Sequence, residues 1–158
     1  MLAPAMPGSV SAGFFFVRVF VGLAFIFHGY PKITNPLAWM GTKMLVVPWT
    51  GASFAPPDWL AALVAFVEFF GGVALILGLI TRLAALALFV DMIVALLFVE
   101  LPHGVPFVAG GHTLEPNLAY MVTTFMLLLA GPGRFSLDAA LSRTRTVPVP
   151  TNQMPRVA

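Results

Sequence analysis

Cysteine is absent from all 158 residues, which excludes a disulfide framework, a thiolate metal site and dithiol redox chemistry of the chain's own. Charge is scarce as well: eight basic and six acidic side chains, 9% of the chain, leave a formal net charge of +2. That is too little for a nucleic-acid surface, and no stretch interleaves basic with aromatic residues, so nucleic acid is excluded as a partner. A glycine-rich dinucleotide loop is missing, and so is a pair of haem ligands at helical spacing. With no covalent cofactor expected, electron transfer by this chain would need a bound ligand or a partner. No repeat of 20 to 50 residues is visible. Residues 1–10 hold no Lys or Arg ahead of the first apolar run, and that run exceeds a signal-peptide core, so the first span is expected to be retained.

What remains is hydrocarbon. Hydrophobic residues make up 59% of the chain and its mean hydropathy is +0.97, far outside soluble composition, so this is an integral membrane protein whose first partner is the lipid bilayer. Four apolar runs predict an all-α fold, a four-helix transmembrane bundle within residues 1–141. The first runs from Ser11, a plausible cap, to Gly29, with Pro31 as its stop. The second, Trp59 to Leu79, is opened by Asp58 as N-cap. The third, Leu83 to Leu101, has Thr81 as cap and ends at Pro102. A short turn, Gly78 to Arg82, makes the two an antiparallel hairpin. The fourth run, from Pro116 and Asn117 to Ala130, is short for a crossing.

Between the first two spans lies a long connection, Lys32 to Asp58, rich in Pro, Gly and Trp. Trp39, Trp49 and Trp59 favour the headgroup level, so the loop is expected at the membrane interface. After Gly131-Pro132-Gly133, residues Ser136 to Leu141 predict a short amphipathic helical segment, and the polar tail 142–158 is expected to be disordered. Arg82, Arg134, Arg143, Arg145 and Arg156 fall on one side of the membrane and only Lys32 and Lys43 on the other. The bias predicts that both termini are cytoplasmic.

Two acids interrupt the apolar runs: Glu68 in the middle of the second, Asp91 near the centre of the third. An acid at a helix centre costs at least about 2.5 kcal/mol in hydrocarbon and so requires a partner. Along the second span Ala61, Ala65, Glu68, Gly71, Gly72, Leu75 and Gly78 share one face, and small residues let helices approach closely, so Glu68 should face protein. The first span supplies Arg18, His28 and, just beyond it, Lys32. Rise counted from the inner helix ends puts Arg18 about 10 Å deep, Asp91 about 14 Å and Glu68 about 16 Å. Arg18 is therefore expected to contact one acid or both, and one proton shared by the two acids would balance the charge. The candidate ligand-binding residues are Arg18, His28, Lys32, Glu68 and Asp91, and no catalytic residue is assigned. Two readings stand: a polar cavity for a quinone or another small polar-headed ligand, or an ion-pair cluster that fixes helix register. His28 could donate to such a ligand or anchor at headgroups. His103, His112 and Glu115 have metal-binding side chains, but their spacing matches no zinc signature and no metal site is predicted. The fifteen Phe read as lipid-facing or core.

The run from Arg18 through Gly22 and His28-Gly29 to Lys32 resembles the first span of DoxX-family proteins. Glu68 with Gly71-Gly72 and Gly78-Leu79-Ile80-Thr81-Arg82 resembles their second, and Gly131-Pro132-Gly133-Arg134-Phe135-Ser136-Leu137-Asp138 their closing motif. The likeness covers roughly residues 14 to 141, with its segments in the family's order. It implies a four-helix protein of the bacterial cytoplasmic membrane. The family takes its name from a subunit of an archaeal thiosulfate:quinone oxidoreductase, and other members are regarded as membrane components of redox or detoxification complexes. Two functions follow as expectations: a membrane subunit of a redox or detoxification system that binds a quinone or similar lipid-soluble ligand, or a non-catalytic anchor or assembly subunit. Either implies another protein subunit or a homo-oligomer.

Overall fold

The computed structural model describes residues 8–40, 44–108 and 112–143. Helix α1 spans Gly8–Ile33, longer at both ends than its apolar run suggests. Pro31 lies inside it and does not stop it. A proline within the last turn removes one hydrogen bond, that to the Phe27 carbonyl, where the helix is about to end anyway. The Thr34 hydroxyl then donates to the Pro31 carbonyl at 2.9 Å, satisfying one of the last orphan acceptors.

Helix α2, Asp58–Leu77, packs antiparallel on α1 with the backbones almost touching. A Cβ placed on Gly22 would lie 2.6 Å from the Gly72 carbonyl oxygen, and one on Gly72 would lie 2.6 Å from that of Gly22. A Cβ on Gly29 would lie at the same 2.6 Å from the Phe69 nitrogen. The small-residue face acts as expected, substituting close contact for the absent hydrophobic drive between helices in lipid. Asp58 is the first helical residue and not the cap; extended Pro57 holds that place without a side-chain bond. Its charge still favours the positive helix start.

Gly78, at φ 67 and ψ 39, ends α2 in the left-handed region, and the Leu79 N–H returns to the Ala74 carbonyl at 3.0 Å, a wrapped helix end. Ile80 is also left-handed, at φ 44, so α3 (Thr81–Ala95) begins with Thr81 already helical. Thr81 is therefore not the cap. Asp138, 57 residues on, is: its Oδ1 accepts from the Ile80 N–H at 2.7 Å and its Oδ2 from the Thr81 N–H at 2.9 Å. The Asp138 N–H in turn donates to the Gly78 carbonyl at 2.9 Å. Asp138→Ala is expected to cost about 1 to 2 kcal/mol, because two orphan donors lose a charged cap. Thermal melting in detergent would show it, with Asp138→Asn intermediate; a silent Asp138→Ala would deny the cap its role.

Beyond Ala95 the helix widens into a π-helical turn, Leu96–Glu100. Helix α4, Leu114–Ala130, starts about one turn's edge earlier than expected. After the breaks at Gly131 and Gly133 (φ 81 and 75), α5 covers Leu137–Arg143. Gly133 sits beside Phe14 and Ser11. Thus the α1 start, the α2–α3 turn and the C-terminal segment share one end of the bundle, here the turn end. At the opposite, loop end, the first connection contains a small antiparallel hairpin, β1 (Leu45–Val46) with β2 (Ser53–Phe54), where the sequence suggested no strand. Lys43, Gly110, Gly111, Arg145, Arg156 and the tail beyond Arg143 lie outside the described residues, and with them the expectation of a disordered tail.

The core is Val21, Phe25, Leu75, Leu88, Met92 and Leu127, with Ala84 and Ala85. Phe16, Phe20 and Phe27 point outward. Helices α1, α2 and α3 with its π-turn are each long and apolar enough to cross a membrane, while α4 is a shorter apolar helix. The protein is a helical membrane protein.

Candidate functional site

The contact at Gly29 sets the site. It presses the end of α1 onto Glu68 and Phe69, so Lys32, one turn further, reaches Glu68: Nζ stands 2.5 Å from Oε1. Glu68 is only 4% exposed. From the first loop, the Trp39 ring covers the Lys32 ammonium, with Nζ 4.6 Å from the ring centroid, a cation–π contact. The Trp39 indole N–H donates to the Ala61 carbonyl at 2.8 Å and so fixes the ring on α2. From α3, Asp91 lines the same cavity as Lys32 and Glu68.

Helices α2 and α3 are tight near their turn, where a Cβ on Gly71 would meet Leu88 at 3.1 Å. Toward the loop end they part, leaving a cavity of about 460 Å³. Lys32, Glu68 and Asp91 line its deep end, Glu100, His103 and His112 its mouth, and Leu60, Val64, Val94 and Val99 with Met40, Met44 and Leu45 its walls. Asp91 and Glu100 are nine residues apart, so the chamber extends roughly 14 Å along the bundle at helical rise.

Its acceptors outnumber its donors. Glu68 Oε2, Asp91 Oδ2 and Glu100 Oε2 are buried without a hydrogen-bond partner. Leaving such an oxygen unsatisfied costs about 1 to 3 kcal/mol each. Glu100 is 7% exposed, and His112 Nε2 lies 3.7 Å from its Oε1, too far for a hydrogen bond. No three acids or histidines among the described residues are grouped so as to hold a metal ion.

Of the five candidate residues, the fold brings Lys32, Glu68 and Asp91 together and sets two apart. Arg18 does not contact either acid. It is fully buried, but it lies at the turn end, where its guanidinium covers Gly78 and donates to the Phe135 carbonyl. The register explains this: Gly22 opposes Gly72, Gly29 opposes Glu68, and so Arg18 opposes Gly78. Depth counted from helix ends assumed flush ends, whereas α1 overhangs α2 by several turns. The ion pair with Glu68 belongs to Lys32 instead. His28 is exposed, with Nδ1 2.8 Å from the Ala24 carbonyl and its ring edge-on to Tyr120 at 5.8 Å, away from the chamber.

Trp39, Glu100, His103 and His112 line the chamber without having been singled out as ligand-binding residues. For Glu100 the reason is specific. At 100° per residue, nine residues place it on the face opposite Asp91; the widened turn rotates it back inward. Such turns occur often at functional sites, but nothing in Leu96–Glu100 announces one.

Comparison with known proteins gives the chain its relatives. The DoxX family model matches residues 13–101, the segment that carries α1, α2, α3 and the π-turn, and with them the chamber's lysine and three carboxylates. An uncharacterized membrane protein of Mycobacterium tuberculosis is 33% identical over 138 residues, which cover 82% of each chain. An uncharacterized protein of Haemophilus influenzae is 30% identical over 78% of this chain and 86% of its own. The inner membrane protein YqjF of Escherichia coli is 29% identical over 83% of this chain and 93% of its own. No solved structure matches the chain. With its family segment enclosing both the glycine-packed helix pair and the acidic chamber, the chain belongs to the DoxX family.

Proposed function

We propose that this protein is a ligand-binding membrane subunit of a redox or detoxification system, whose chamber takes a lipid-soluble molecule with a polar head, a quinone being the class that the family implies. The observation that carries this reading is the Lys32–Glu68 pair, its carboxylate buried and its ammonium half-buried, with Asp91 on the same chamber of about 460 Å³, whose walls between that pair and the polar mouth are largely aliphatic. Concave apolar sites with a few convergent polar groups are the usual form of a small-molecule site. A structural ion pair alone needs no such space.

The residues present fit a quinone ring. Lys32 Nζ can donate to a ring carbonyl, and the adjacent Glu68 and Asp91 carboxyls can hold a proton between them. A bound quinone would supply the electron chemistry for which the chain has no group of its own. Lys32, Glu68 and Asp91 carry this proposal; Arg18 and His28 lie off the chamber and have no part in it. The basic bias of Arg82 and Arg134 puts the turn end in the cytoplasm, so in the bacterial inner membrane the chamber opens outward.

Native mass spectrometry of the gently solubilised protein tests the reading. Bound quinone is expected in the wild type and in His28→Ala, and its loss in Glu68→Gln and Asp91→Asn. A stoichiometric protein partner with no small ligand, weakened by those same variants, would replace this reading with an anchor or assembly subunit.

A further inference from the structure

A lysine in the last turn of a membrane helix ordinarily sends its ammonium outward along its flexible stem, to the headgroups and water. Lys32 does the opposite. It sits one residue short of the end of α1, yet its ammonium turns in to Glu68 and its side chain is only 23% exposed. Glu68 supplies one reason, and Trp39 supplies the other by covering the ammonium from the first loop, with Nζ 4.6 Å from the ring centroid. The ring is fixed. The Trp39 backbone N–H donates to the Asn35 carbonyl at 3.1 Å and its indole N–H to the Ala61 carbonyl at 2.8 Å, which ties it at once to the chain leaving α1 and to the first turn of α2. Further along the same loop, the Trp49 ring meets Phe98 of the π-helical turn edge-on at 6.2 Å. The loop is thus pinned to both helices that flank the chamber.

We propose that Trp39 is a positioning residue for ligand binding, which holds the Lys32 ammonium inside the chamber with an N–H left for a ligand carbonyl. The role rests on the reading of the chamber as a quinone site and adds the residue that prepares its donor. An ammonium carries three N–H donors and no acceptor. Glu68 Oε1 takes one of them. An aromatic face attracts the positive charge as a whole, so the ring restrains Lys32 without consuming a donor, as a carbonyl or carboxylate in its place would. Among the described residues Trp39 is the one Phe, Tyr or Trp that lines the chamber. No neighbouring ring can take its place at the ammonium. A tryptophan that served only as wall would favour any flat apolar molecule, whereas one acting through Lys32 favours molecules that carry an acceptor.

The pair 1,4-naphthoquinone and naphthalene tests this, because the two share a fused ring and differ in two carbonyl acceptors. Isothermal titration calorimetry on the detergent-solubilised full chain reads both. The wild type is expected to bind naphthoquinone at least about tenfold more tightly than naphthalene, the usual worth of a hydrogen bond to a charged group. Trp39→Leu is expected to lower that preference at least about fivefold, and Trp39→Phe, which keeps a ring but loses the bond to Ala61, is expected to retain part of it. Equal weakening of both probes would make Trp39 a wall residue only and overturn the proposal. A preference untouched by Trp39→Leu would also sink it while leaving the quinone reading in place, whereas no binding of naphthoquinone to the wild type would remove that reading and the role of Trp39 together. A second measurement needs no ligand. The chain's other lysine, Lys43, lies outside the described residues, and in a Lys43→Arg protein labelled with 13C-lysine the Cε methylene NMR signal comes from Lys32 alone. The ring current of Trp39 is expected to shift that signal upfield, and Trp39→Leu to remove the shift. An unshifted signal with Trp39 intact would refute the proposal whether or not the Trp39 variants fold.

Discussion

Gly78→Ala is expected to lower the melting temperature of the detergent-solubilised protein far more than Gly133→Ala, although both add one methyl to a left-handed glycine (φ 67 and 75). The shared conformational cost is about 1 to 2 kcal/mol. The surroundings differ. At Gly133 the nearest atom to an added Cβ is the Phe14 Cβ at 3.6 Å, ordinary contact. At Gly78 the Cβ would fall 2.5 Å from the Ser136 Cβ and 2.9 Å from its Cα, and it would displace the Arg18 guanidinium. A flexible arginine end can move, but the Ser136 backbone is tied to the same turn through Asp138, so overpacking adds about 1 to 3 kcal/mol. The total for Gly78→Ala comes to about 2 to 5 kcal/mol, against about 1 to 2 for Gly133→Ala. Equal losses in the two variants would mean that the C-terminal segment does not dock on the α2–α3 turn, and the placement of Arg18 would fall with it.

Lys32→Leu should be the other severe change. Glu68 is 4% exposed and bonded through Oε1 to Lys32, while its Oε2 has no partner. Removing the lysine strands a charge in a low-dielectric setting, a loss of about 3 to 5 kcal/mol. The double variant Lys32→Leu/Glu68→Leu should recover most of that, since an ion pair replaced by apolar groups is often neutral. Melting curves for the four proteins give a coupling energy, expected to be at least about 2 kcal/mol and far above that of distant sites. Arg18→Leu provides the contrast. It leaves the Phe135 carbonyl unsatisfied and takes a cation from the neighbourhood of Asp138, not of Glu68, so its cost is about 1 to 3 kcal/mol and independent of Glu68. Coupling of Glu68 to Arg18 instead of Lys32 would restore the pairing that simple depth counting suggests and refute the observed register.

The sequence by itself determined the helical membrane fold, because the information is local: an apolar run crosses lipid only as a helix, and glycine, proline and short turns mark where it stops. It also identified the Glu68 face of α2 as the packed one, since small residues at helical spacing betray close approach wherever the partner comes from. Three of the five candidate residues, Lys32, Glu68 and Asp91, meet at the chamber for that reason. What the sequence left undecided were relations between distant segments. How far α1 overhangs α2 depends on which glycines touch, and a shift of ten residues, roughly 15 Å of helix, moves Arg18 from the acids to the turn. The cap of α3 comes from Asp138, which no local rule connects to Thr81. Glu100 faces the chamber only because α3 widens in its last turn, changing the angular period on which every reading of helix faces depends. Helix formation is decided by neighbours along the chain, whereas register, capping across elements and the inward turn of Glu100 are decided by packing, and packing exists only in the folded bundle.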